Sequence, residues 1–306
     1  MRAVLVVNPH ATSTTPGGRD VLAHALASEV KLEVAETKHR GHAAEVAAAA
    51  RRDGVDLVVV HGGDGTVNEV VNGLLGPAGA QRRGSSPMLG VVPGGSANVF
   101  ARGLGVPSDP VEATHVLLEA IMEQRSRQVG LGVADGRWFT FTAGLGWDAD
   151  VVAGVSKSRG KAASPALYVR TALTSYVRPP RGRPPLTLEI PDEDPVEVRT
   201  AFVSNTDPWT YLGRWPIRLN PGCSFDSGLG LFALRSLGPV TVLTQLALTM
   251  SIIDMRRGRH LIHRNDLPKL TISSEDPVNF QADGDLVGER TRVEFISIPN
   301  ALTVVV

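Results

Sequence analysis

The sequence predicts a doubly wound α/β domain with a parallel sheet, followed by a second domain that is an antiparallel β-sandwich. In the first third of the chain, apolar strand-like runs alternate with segments that have helical spacing. From about residue 128, short alternating segments are separated by turn residues. The composition is globular, because 42% of the 306 residues are hydrophobic and 20% are charged.

The first domain is expected to span residues 1–126. Strands separated by helices indicate a parallel sheet covered on both faces. The predicted strands are Arg2–Val7, Lys31–Thr37, Val55–Val60 and Met88–Val92, and the predicted helices are Asp20–Ser28, Ala43–Arg52 and Thr66–Leu75.

The second domain is expected over residues 127–295, and a last strand at about 296–306 is expected to return to the first domain. Helical spacing interrupts the strand pattern at Ala163–Val177 and Val240–Met255. The predicted strands are Arg127–Ala134, Arg137–Ala143, Pro185–Ile190, Val196–Ser204, Leu229–Leu234, Lys269–Ser273, Val278–Ala282 and Ala301–Val306.

Charge and cysteine content exclude some classes of protein. Lys and Arg together number 31, as do Asp and Glu, so a nucleic-acid-binding surface over the whole protein is not expected. The one cysteine, Cys223, rules out an intrachain disulfide and fits a reducing compartment. The longest apolar stretch, Val240–Ile253, is interrupted by polar residues and is too short to cross about 30 Å of hydrocarbon.

The strongest motif is a glycine-rich loop between the strand Val55–Val60 and the helix that follows. Glycines let the main chain approach an anion, and the start of a helix offers unpaired N–H groups to phosphate. An acidic residue in such a loop is best explained by a bridging Mg²⁺ or a ribose hydroxyl, whereas the alternative is a tight turn with a helix N-cap. The loop consists of Gly62, Gly63, Asp64, Gly65 and Thr66.

A second glycine-rich loop, Pro93–Asn98, follows the next buried strand, and a third loop, Asn8–Ser13, follows the first strand. Ligands bind at the carboxyl edge of open α/β sheets, so three loops at this edge favour a nucleotide site. Ser96 and Asn98 are expected to donate to phosphate or to cap the following helix.

These loops, together with Val99–Arg102 and Gly144–Ala149, resemble the diacylglycerol kinase catalytic family. That family includes bacterial lipid kinases and the sphingosine and ceramide kinases, and it is more distantly similar to NAD kinases and phosphofructokinases. The matching motifs run from Asn8 to about Asp285. The resemblance implies an ATP-dependent lipid kinase, most simply for diacylglycerol, that uses Mg²⁺ and works in the cytoplasm at the inner face of the membrane.

By this resemblance the α/β domain supplies the nucleotide site, with Asp64 also serving the metal. The assignment of Thr37 rests on a Thr-x-x-x-Gly-His-Ala match. The implied residues are Asn8, Pro9, Thr37, Gly62, Gly63, Asp64, Gly65, Thr66, Gly94, Gly95, Ser96 and Asn98.

Two carboxylates flank Gly284 in the segment Phe280–Asp285. The residues alone allow an Asp-Gly hairpin turn equally well. Lipid kinases carry Asp-Gly-Glu or a close variant here, which implies that Asp285 is the general base and that Asp283 orients it or binds metal.

The resemblance also points to a structural Mg²⁺ at the loop Pro221–Leu229, with Asp226 as the acidic ligand. Here Ser227 stands where the family usually has a second acidic residue. A turn in which Asp226 bonds nearby backbone N–H groups is therefore the preferred interpretation.

Contact with a membrane surface is suggested by seven basic and no acidic residues between Val151 and Pro185, interleaved with apolar ones. A solvated basic helix is the alternative. Trp209, Tyr211 and Trp215 could be interfacial anchors, or could pack in the core or at a homodimer contact. Two rival functions stay open: a kinase for a soluble acceptor such as NAD, and a nucleotide- or lipid-binding module without catalysis.

Overall fold

The computed structural model describes residues 1–79, 86–157, 165–178, 184–212, 215–249 and 258–306. These residues form two compact units. The N-terminal unit comprises Met1–Leu131, Gly136–Trp138 and Pro299–Val306, and the C-terminal unit comprises Gly132–Asp135 and Phe139–Ile298.

Strands and helices alternate in the first part of the chain. They are β1 (Arg2–Val7), α1 (Pro16–Ala27), β2 (Lys31–Glu36), α2 (His42–Arg52), β3 (Leu57–Gly62), α3 (Asp64–Leu75), β4 (Met88–Pro93), α4 (Val99–Gly103), α5 (Pro110–Met122) and β5 (Arg127–Ala134).

The remainder of the described chain is mainly strand. It contains β6 (Arg137–Phe139), β7 (Thr142–Gly146), α6 (Trp147–Lys157), α7 (Pro165–Val177), β8 (Leu186–Glu189), β9 (Val196–Val198), β10 (Thr200–Ser204), β11 (Thr210–Leu212), β12 (Trp215–Ile217), β13 (Leu229–Leu234), α8 (Pro239–Thr249), β14 (Leu261–Leu267), β15 (Lys269–Ala282) and β16 (Asp285–Val304).

The N-terminal unit is built on a parallel sheet with the strand order β4-β3-β1-β2. The end of β16 pairs in parallel with β4, with Val304 opposite Leu89. Every residue of β3 is buried, which explains its apolar run Leu57–Val60. All carboxyl ends of these strands lie at one edge of the sheet, and the loops that follow them are therefore neighbours.

The predicted strands of this unit are present with shifts of a few residues, but two helix starts differ from the prediction. Helix α1 begins at Pro16 rather than Asp20, because Thr15 caps it by accepting a hydrogen bond from the Gly18 N–H at 3.0 Å. Helix α3 begins at Asp64 rather than Thr66. Helix α4 is the helix expected after Asn98, for which no end was predicted. Helix α5 was not predicted, although Asp109 followed by a proline is a recognisable start signal for it.

The C-terminal unit contains an antiparallel sheet with the order β14-β13-β10-β7-β15-β16, in which β8 pairs with β15 and with β9. Two strands predicted separately, Lys269–Ser273 and Val278–Ala282, are one strand, β15, with an irregular pairing between Ser273 and Val278. Strand β16 begins at Asp285, well before the predicted last strand. Helix α6 was not predicted.

The helix predicted for Ala163–Val177 is seen as α7, whose described part begins at Pro165. The helix predicted for Val240–Met255 is seen as α8 up to Thr249, and residues 250–255 lie outside the described residues. Four of the seven basic residues between Val151 and Pro185 also lie outside the described residues, namely Arg159, Lys161, Arg181 and Arg183. The side chain of Lys157 is not described either.

The predicted fold class, an α/β domain followed by an antiparallel β domain, is confirmed. Within the described ranges, none of the helices has the length and apolarity needed to cross a bilayer.

Candidate active site

Three loops of the N-terminal unit meet at the carboxyl edge of its sheet, as the sequence predicts. The Ser13 N–H donates to the Gly94 carbonyl at 2.8 Å, and the hydroxyls of Thr12 and Ser96 lie 3.3 Å apart. The Asn8 amide donates to the Thr66 hydroxyl at 3.0 Å. The loops after β1, β3 and β4 therefore form one hydrogen-bonded group.

The two glycine-rich loops touch through their main chains. A Cβ atom at Gly95 would lie 2.7 Å from the Cα of Gly63, and one at Gly94 would lie 3.0 Å from the Cα of Gly62. Real Cβ atoms essentially never lie as close as 2.7 Å to another heavy atom, and a contact of 3.0 Å is tighter than nine in ten real ones, so side chains at these positions would strain the loops. The glycines are thus required first by the contact between the loops. Gly62 and Gly94 are buried, whereas Gly63 and Gly95 are half-buried at the edge, where main chain without a side chain can approach a phosphate.

Asp64 links the two loops at their helix starts. It is the first residue of α3, whose N-cap is Gly63, and its Oδ1 accepts a hydrogen bond from the Phe100 N–H at 3.1 Å. The carboxylate thus accepts a hydrogen bond at the start of α4. It is not the N-cap of its own helix, which was the alternative that the sequence allowed. This contact fixes Asp64 at the loop edge, half-buried beside Gly63 and Gly65.

Asn98 holds the second loop in shape. Its backbone is left-handed, with φ 49° and ψ 46°, and its side chain gives no capping hydrogen bond to α4. The Oδ1 atom accepts from the Gly95 N–H at 2.9 Å, and the Nδ2 atom donates to the Gly95 carbonyl at 2.7 Å. The predicted cap of α4 by Asn98 is therefore wrong, because both polar atoms of the side chain bond to Gly95 and brace the loop. Ser96 is exposed at the tip.

The loop edge contains a polar atom that no described residue satisfies. The Thr14 hydroxyl is buried without a hydrogen-bond partner, and it lies 3.0 Å from the position of a Cβ at Gly94. An unsatisfied buried hydroxyl costs about 1–3 kcal/mol, and a bound phosphate oxygen could accept from it. The hydroxyl and the half-buried glycines Gly63 and Gly95 suit a phosphate group.

Thr37 follows β2 and donates its N–H to the Val7 carbonyl at 2.8 Å, which places it at the same edge. The turn after it is held by α3, because the N–H of Gly41 donates to Glu69 Oε1 at 2.9 Å. Gly41 has a φ of 88°, which favours glycine. Glu69 was not predicted as a site residue, because nothing in the sequence around it indicates a contact with Gly41, 28 residues away.

In the C-terminal unit, Asp283 is buried and its carboxylate accepts four hydrogen bonds from one short segment. Oδ2 accepts from the N–H and the hydroxyl of Thr140 at 2.7 and 2.8 Å, and Oδ1 accepts from the N–H groups of Phe141 and Thr142 at 3.0 and 3.1 Å. Burial raises the pKa of Asp283, and this effect exceeds that of the hydrogen bonds, which lower the pKa because they favour the charged form. Such a carboxylate anchors the hairpin and has little capacity left for other chemistry.

Asp285 lies across the turn from this anchor. Asp283 and Gly284 form a two-residue hairpin loop with φ values of 50° and 75°, and Ala282 pairs with Asp285. Two positive φ values are typical of a type I′ turn, so the hairpin interpretation is correct. Asp285 is half-buried rather than enclosed. Of the two carboxylates, Asp285 is therefore the less buried.

The motif Gly144–Ala149 is joined to this hairpin through Gln281. The Gln281 Nε2 donates to Asp148 Oδ2 at 2.6 Å, and its Oε1 accepts from the Gly284 N–H at 3.0 Å. Next along β15, Asn279 donates to Asp150 at 2.6 Å. The alternation of β15 puts Gln281 and Asn279 on one face, and this period-two polar pair is the sequence signal that could have identified them.

Asp148 is buried with its carboxylate against the main chain of β7. A Cβ at Gly144 would lie 2.8 Å from Asp148 Oδ2, so glycine is required there. Burial raises the pKa of Asp148 to about 7; the bond from Gln281 lowers it, and the charge of Asp150 raises it.

The loop predicted as a structural metal site is closed by its own polar groups. The Ser227 hydroxyl accepts from the Ser224 N–H at 3.0 Å, and Asp266 Oδ1 accepts from the Gly228 N–H at 2.7 Å. Asp226 is exposed. The described residues contain no group of three or more His, Cys, Asp or Glu side chains that could hold a metal ion.

The fold and the paired glycine-rich loops define the structural class that diacylglycerol kinases share with NAD kinases. A putative diacylglycerol kinase from Bacillus anthracis aligns with 99% of this chain and 96% of its own, with a TM-score of 0.77 and 22% identity. An NAD kinase from Archaeoglobus fulgidus in complex with ATP aligns with 99% of this chain and 93% of its own, with a TM-score of 0.52 and 13% identity.

Within this structural class, the sequence comparisons find similarity to diacylglycerol and lipid kinases. Residues 2–134 match the model of the diacylglycerol kinase catalytic domain. A probable lipid kinase YegS-like from Chromohalobacter salexigens is 40% identical over 120 residues, which cover 39% of this chain and 36% of that protein. A diacylglycerol kinase from Bacillus subtilis is 36% identical over 155 residues, or 47% and 46% of the two chains.

The aligned segments span less than half the length of these curated relatives. The predicted resemblance to the diacylglycerol kinase catalytic domain is confirmed over residues 2–134, the segment that contains the three loops.

Gly95→Ala should separate the two loops, because its Cβ would lie 2.7 Å from the Cα of Gly63. We expect a fall of at least about tenfold in ATP affinity, or about 1.4 kcal/mol, measured by isothermal titration calorimetry. Gly17→Ala is the matched control, since its Cβ would meet nothing within 4 Å on α1. Unchanged ATP affinity in Gly95→Ala would show that the loop contact does not shape the nucleotide site.

Asp148→Asn should change how stability depends on pH. The pKa of Asp148 is about 7 in the folded protein and about 3.9 unfolded, so the folded state holds the extra proton between these values. The stability from this group is therefore complete below pH 4 and is lost as the pH rises to 7, a loss of the order of 4 kcal/mol.

An Asn at this position does not ionise, so the variant does not lose this unfolding free energy as the pH rises. The gain in unfolding free energy from Asp148→Asn should therefore be about 3 kcal/mol larger at pH 8 than at pH 5, measured by urea unfolding. The exposed Asp276→Asn is the control. Equal gains at both pH values would mean that Asp148 is charged throughout this range.

Proposed function

We propose that the protein is an ATP-dependent lipid kinase that phosphorylates a hydroxyl of diacylglycerol or a closely related lipid. The observation that carries the proposal is the main-chain contact of Gly62 and Gly63 with Gly94 and Gly95, within the segment that matches the diacylglycerol kinase catalytic domain. The names of its relatives as lipid kinase and diacylglycerol kinase support the acceptor class.

The nucleotide site in this proposal is the loop edge of the N-terminal unit. The N–H groups at the start of α3 lack a side-chain cap, because Gly63 is the N-cap, and they can donate to phosphate oxygens. The Thr14 hydroxyl supplies a further donor that lacks a partner within the described chain. Asn8, Pro9, Thr37 and Thr66 border the same edge.

Asp64 is the residue that would hold Mg²⁺. Magnesium in phosphoryl-transfer sites is bound through one or two carboxylates together with substrate phosphates, so a single well-placed Asp is sufficient on the protein side. Its bond to the Phe100 N–H keeps the carboxylate at the loop edge. When bound, the metal neutralises charge on the phosphates that would otherwise be repelled by Asp64.

Asp285 is proposed as the general base. As the lipid oxygen forms its bond to the γ-phosphorus and the bond to ADP breaks, the hydroxyl proton passes to the Asp285 carboxylate. Asp283 positions this base through the hairpin and does not accept the proton itself, because its four hydrogen bonds occupy both oxygens. The protein is proposed to act in the cytoplasm, peripheral to the inner face of the membrane.

Transfer of label from γ-labelled ATP is the experiment that tests this function. Mixed micelles would present diacylglycerol, monoacylglycerol, sphingosine or ceramide, with NAD as the soluble acceptor and EDTA as the metal-free control. We expect label in diacylglycerol, and its loss with EDTA. Label in NAD alone would establish the soluble-acceptor kinase instead, and ATP binding without any transfer would favour a non-catalytic module.

The two hairpin carboxylates should respond differently to the same substitution. Asp285→Asn should retain less than about a tenth of the parent turnover while its unfolding free energy changes by no more than about 0.5 kcal/mol, because the side chain is half-buried. Asp283→Asn should lose about 2–4 kcal/mol of stability, since its amide would direct a donor at N–H groups.

Turnover in micelles and urea unfolding of both variants check this assignment. If Asp285→Asn kept near-parent turnover, Asp285 could not be the base, whatever the effect of Asp283→Asn on stability.

A further inference from the structure

Helix α8 has an inverted pattern of burial. Its apolar side chains Val240, Leu243 and Leu246 are 78%, 66% and 51% exposed, whereas its polar Gln245 and Thr249 are buried. A helix that packs on a water-soluble core normally shows the opposite arrangement. The three-residue apolar stripe of α8 therefore faces away from the protein.

Two other elements around α8 also expose large apolar side chains. Leu173 and Val177 on α7 are 61% and 73% exposed, and Trp215 on β12 is 71% exposed. We name these six residues the apolar face. They are Leu173, Val177, Trp215, Val240, Leu243 and Leu246.

The helices that carry the apolar face pack on one core cluster of the C-terminal unit. Tyr176 of α7 and Val242 of α8 both contact the cluster that contains Phe202 and Phe232. The Tyr176 hydroxyl donates to the Leu237 carbonyl, just before α8, at 2.8 Å. The Arg218 N–H, just after β12, donates to the Thr249 carbonyl of α8 at 3.1 Å. The apolar face is thus held by elements tied to one another.

The charges of these helices are of one sign. Over their described residues, Pro165–Val177 and Pro239–Thr249, neither α7 nor α8 contains Asp or Glu, and α8 contains no charged residue. Arg170 and Arg178 are exposed on α7 and directly after it. Exposed aliphatic and Trp side chains bordered by arginines, with no acidic residue on either helix, suit an anionic lipid surface, because each cation near such lipids adds to binding.

Exposed apolar residues of the N-terminal unit do not form a comparable set. Met1 precedes β1, Val21 and Val34 lie one each on α1 and β2, and Val111 and Met122 lie at opposite ends of α5. Scattered exposed apolar residues are normal on soluble proteins. Three exposed apolar residues at consecutive helical spacing on α8 distinguish the apolar face from these scattered residues.

We propose that the apolar face docks the protein on the surface of an anionic bilayer, with Leu243 and Leu246 entering the acyl boundary and Arg170 and Arg178 facing lipid phosphates. This proposal deepens the proposed function and rests on it, because it names the surface by which a lipid kinase reaches a substrate that stays in a membrane. The same face could instead bind a second copy of the chain, and the experiment separates the two.

Co-sedimentation with vesicles tests the docking. The full chain should bind vesicles that contain phosphatidylglycerol, bind pure phosphatidylcholine vesicles less well, and be released by salt. The double variant Val240→Glu/Leu243→Glu should lower the bound fraction at least about tenfold, because charged side chains disfavour entry into the acyl boundary.

Val111→Glu is the matched control. Val111 directly follows a proline at the start of α5, as Val240 does in α8, and it is 75% exposed. It should bind vesicles like the parent. Arg178→Glu is a second variant that leaves every apolar side chain in place and should weaken binding to phosphatidylglycerol vesicles alone. Thermal unfolding should match the parent in all three variants.

Turnover of a short-chain diacylglycerol in free solution separates this proposal from the proposed function. The double variant should keep that turnover and lose turnover on vesicles. Vesicle binding without any lipid kinase activity would defeat the function and leave the docking intact. Parent-like vesicle binding by the double variant would overturn the docking. The docking would also be overturned if the parent protein were a dimer and the double variant a monomer, because the apolar face would then be a self-association contact.

Discussion

The site depends on the direct approach of two main chains. Gly63 and Gly95 are close enough that a single methyl group at Gly95 would collide with the Cα of its neighbour. This approach is possible because β3 and β4 are adjacent parallel strands that end together, so the loops begin side by side. Asp64 and Asn98 then fix the loops, one by reaching the start of α4 and the other by bracing Gly95. The glycines therefore have a structural duty in addition to the phosphate contact proposed for them.

The two hairpin carboxylates of the C-terminal unit have different surroundings. The Asp283 carboxylate accepts hydrogen bonds from the segment Thr140–Thr142, and Gln281 connects the turn to Asp148. Asp285 is left as the half-buried carboxylate at the start of β16. A buried carboxylate with four donors is a strong positional constraint. In the proposed reaction it holds the base in place, which matters because phosphoryl transfer depends chiefly on positioning.

Much of the fold could be predicted from sequence because its signals are local. The unbroken apolar run of β3 and the glycine-rich loop after it identify the parallel sheet and the edge where the site lies. The length of helix α4 could not be predicted because five residues are too few for a periodic pattern. The junction of β15 was read as two strands because the polar residues between Ser273 and Val278 resemble a turn.

The contacts that decide residue roles are long-range and could not be predicted. Asp283 and Thr140 are 143 residues apart in sequence, and Asp64 and Phe100 are 36 apart. Asn98 braces its own loop because its left-handed backbone turns the side chain towards Gly95, and a sequence does not reveal that conformation. The outward apolar stripe of α8 could not be predicted for another reason, because a helix without charged residues does not indicate which of its sides faces water.

The central claim is that the paired glycine-rich loops bind the phosphates of ATP, and glycine-selective ¹⁵N NMR tests it most directly. On addition of ATP and Mg²⁺, the amide signals of Gly62, Gly63, Gly94 and Gly95 should shift. Gly54 precedes β3 at the opposite edge of the sheet, and its signal should stay in place. If ATP bound and these four signals did not move while others did, the nucleotide site would lie elsewhere and the account would be wrong.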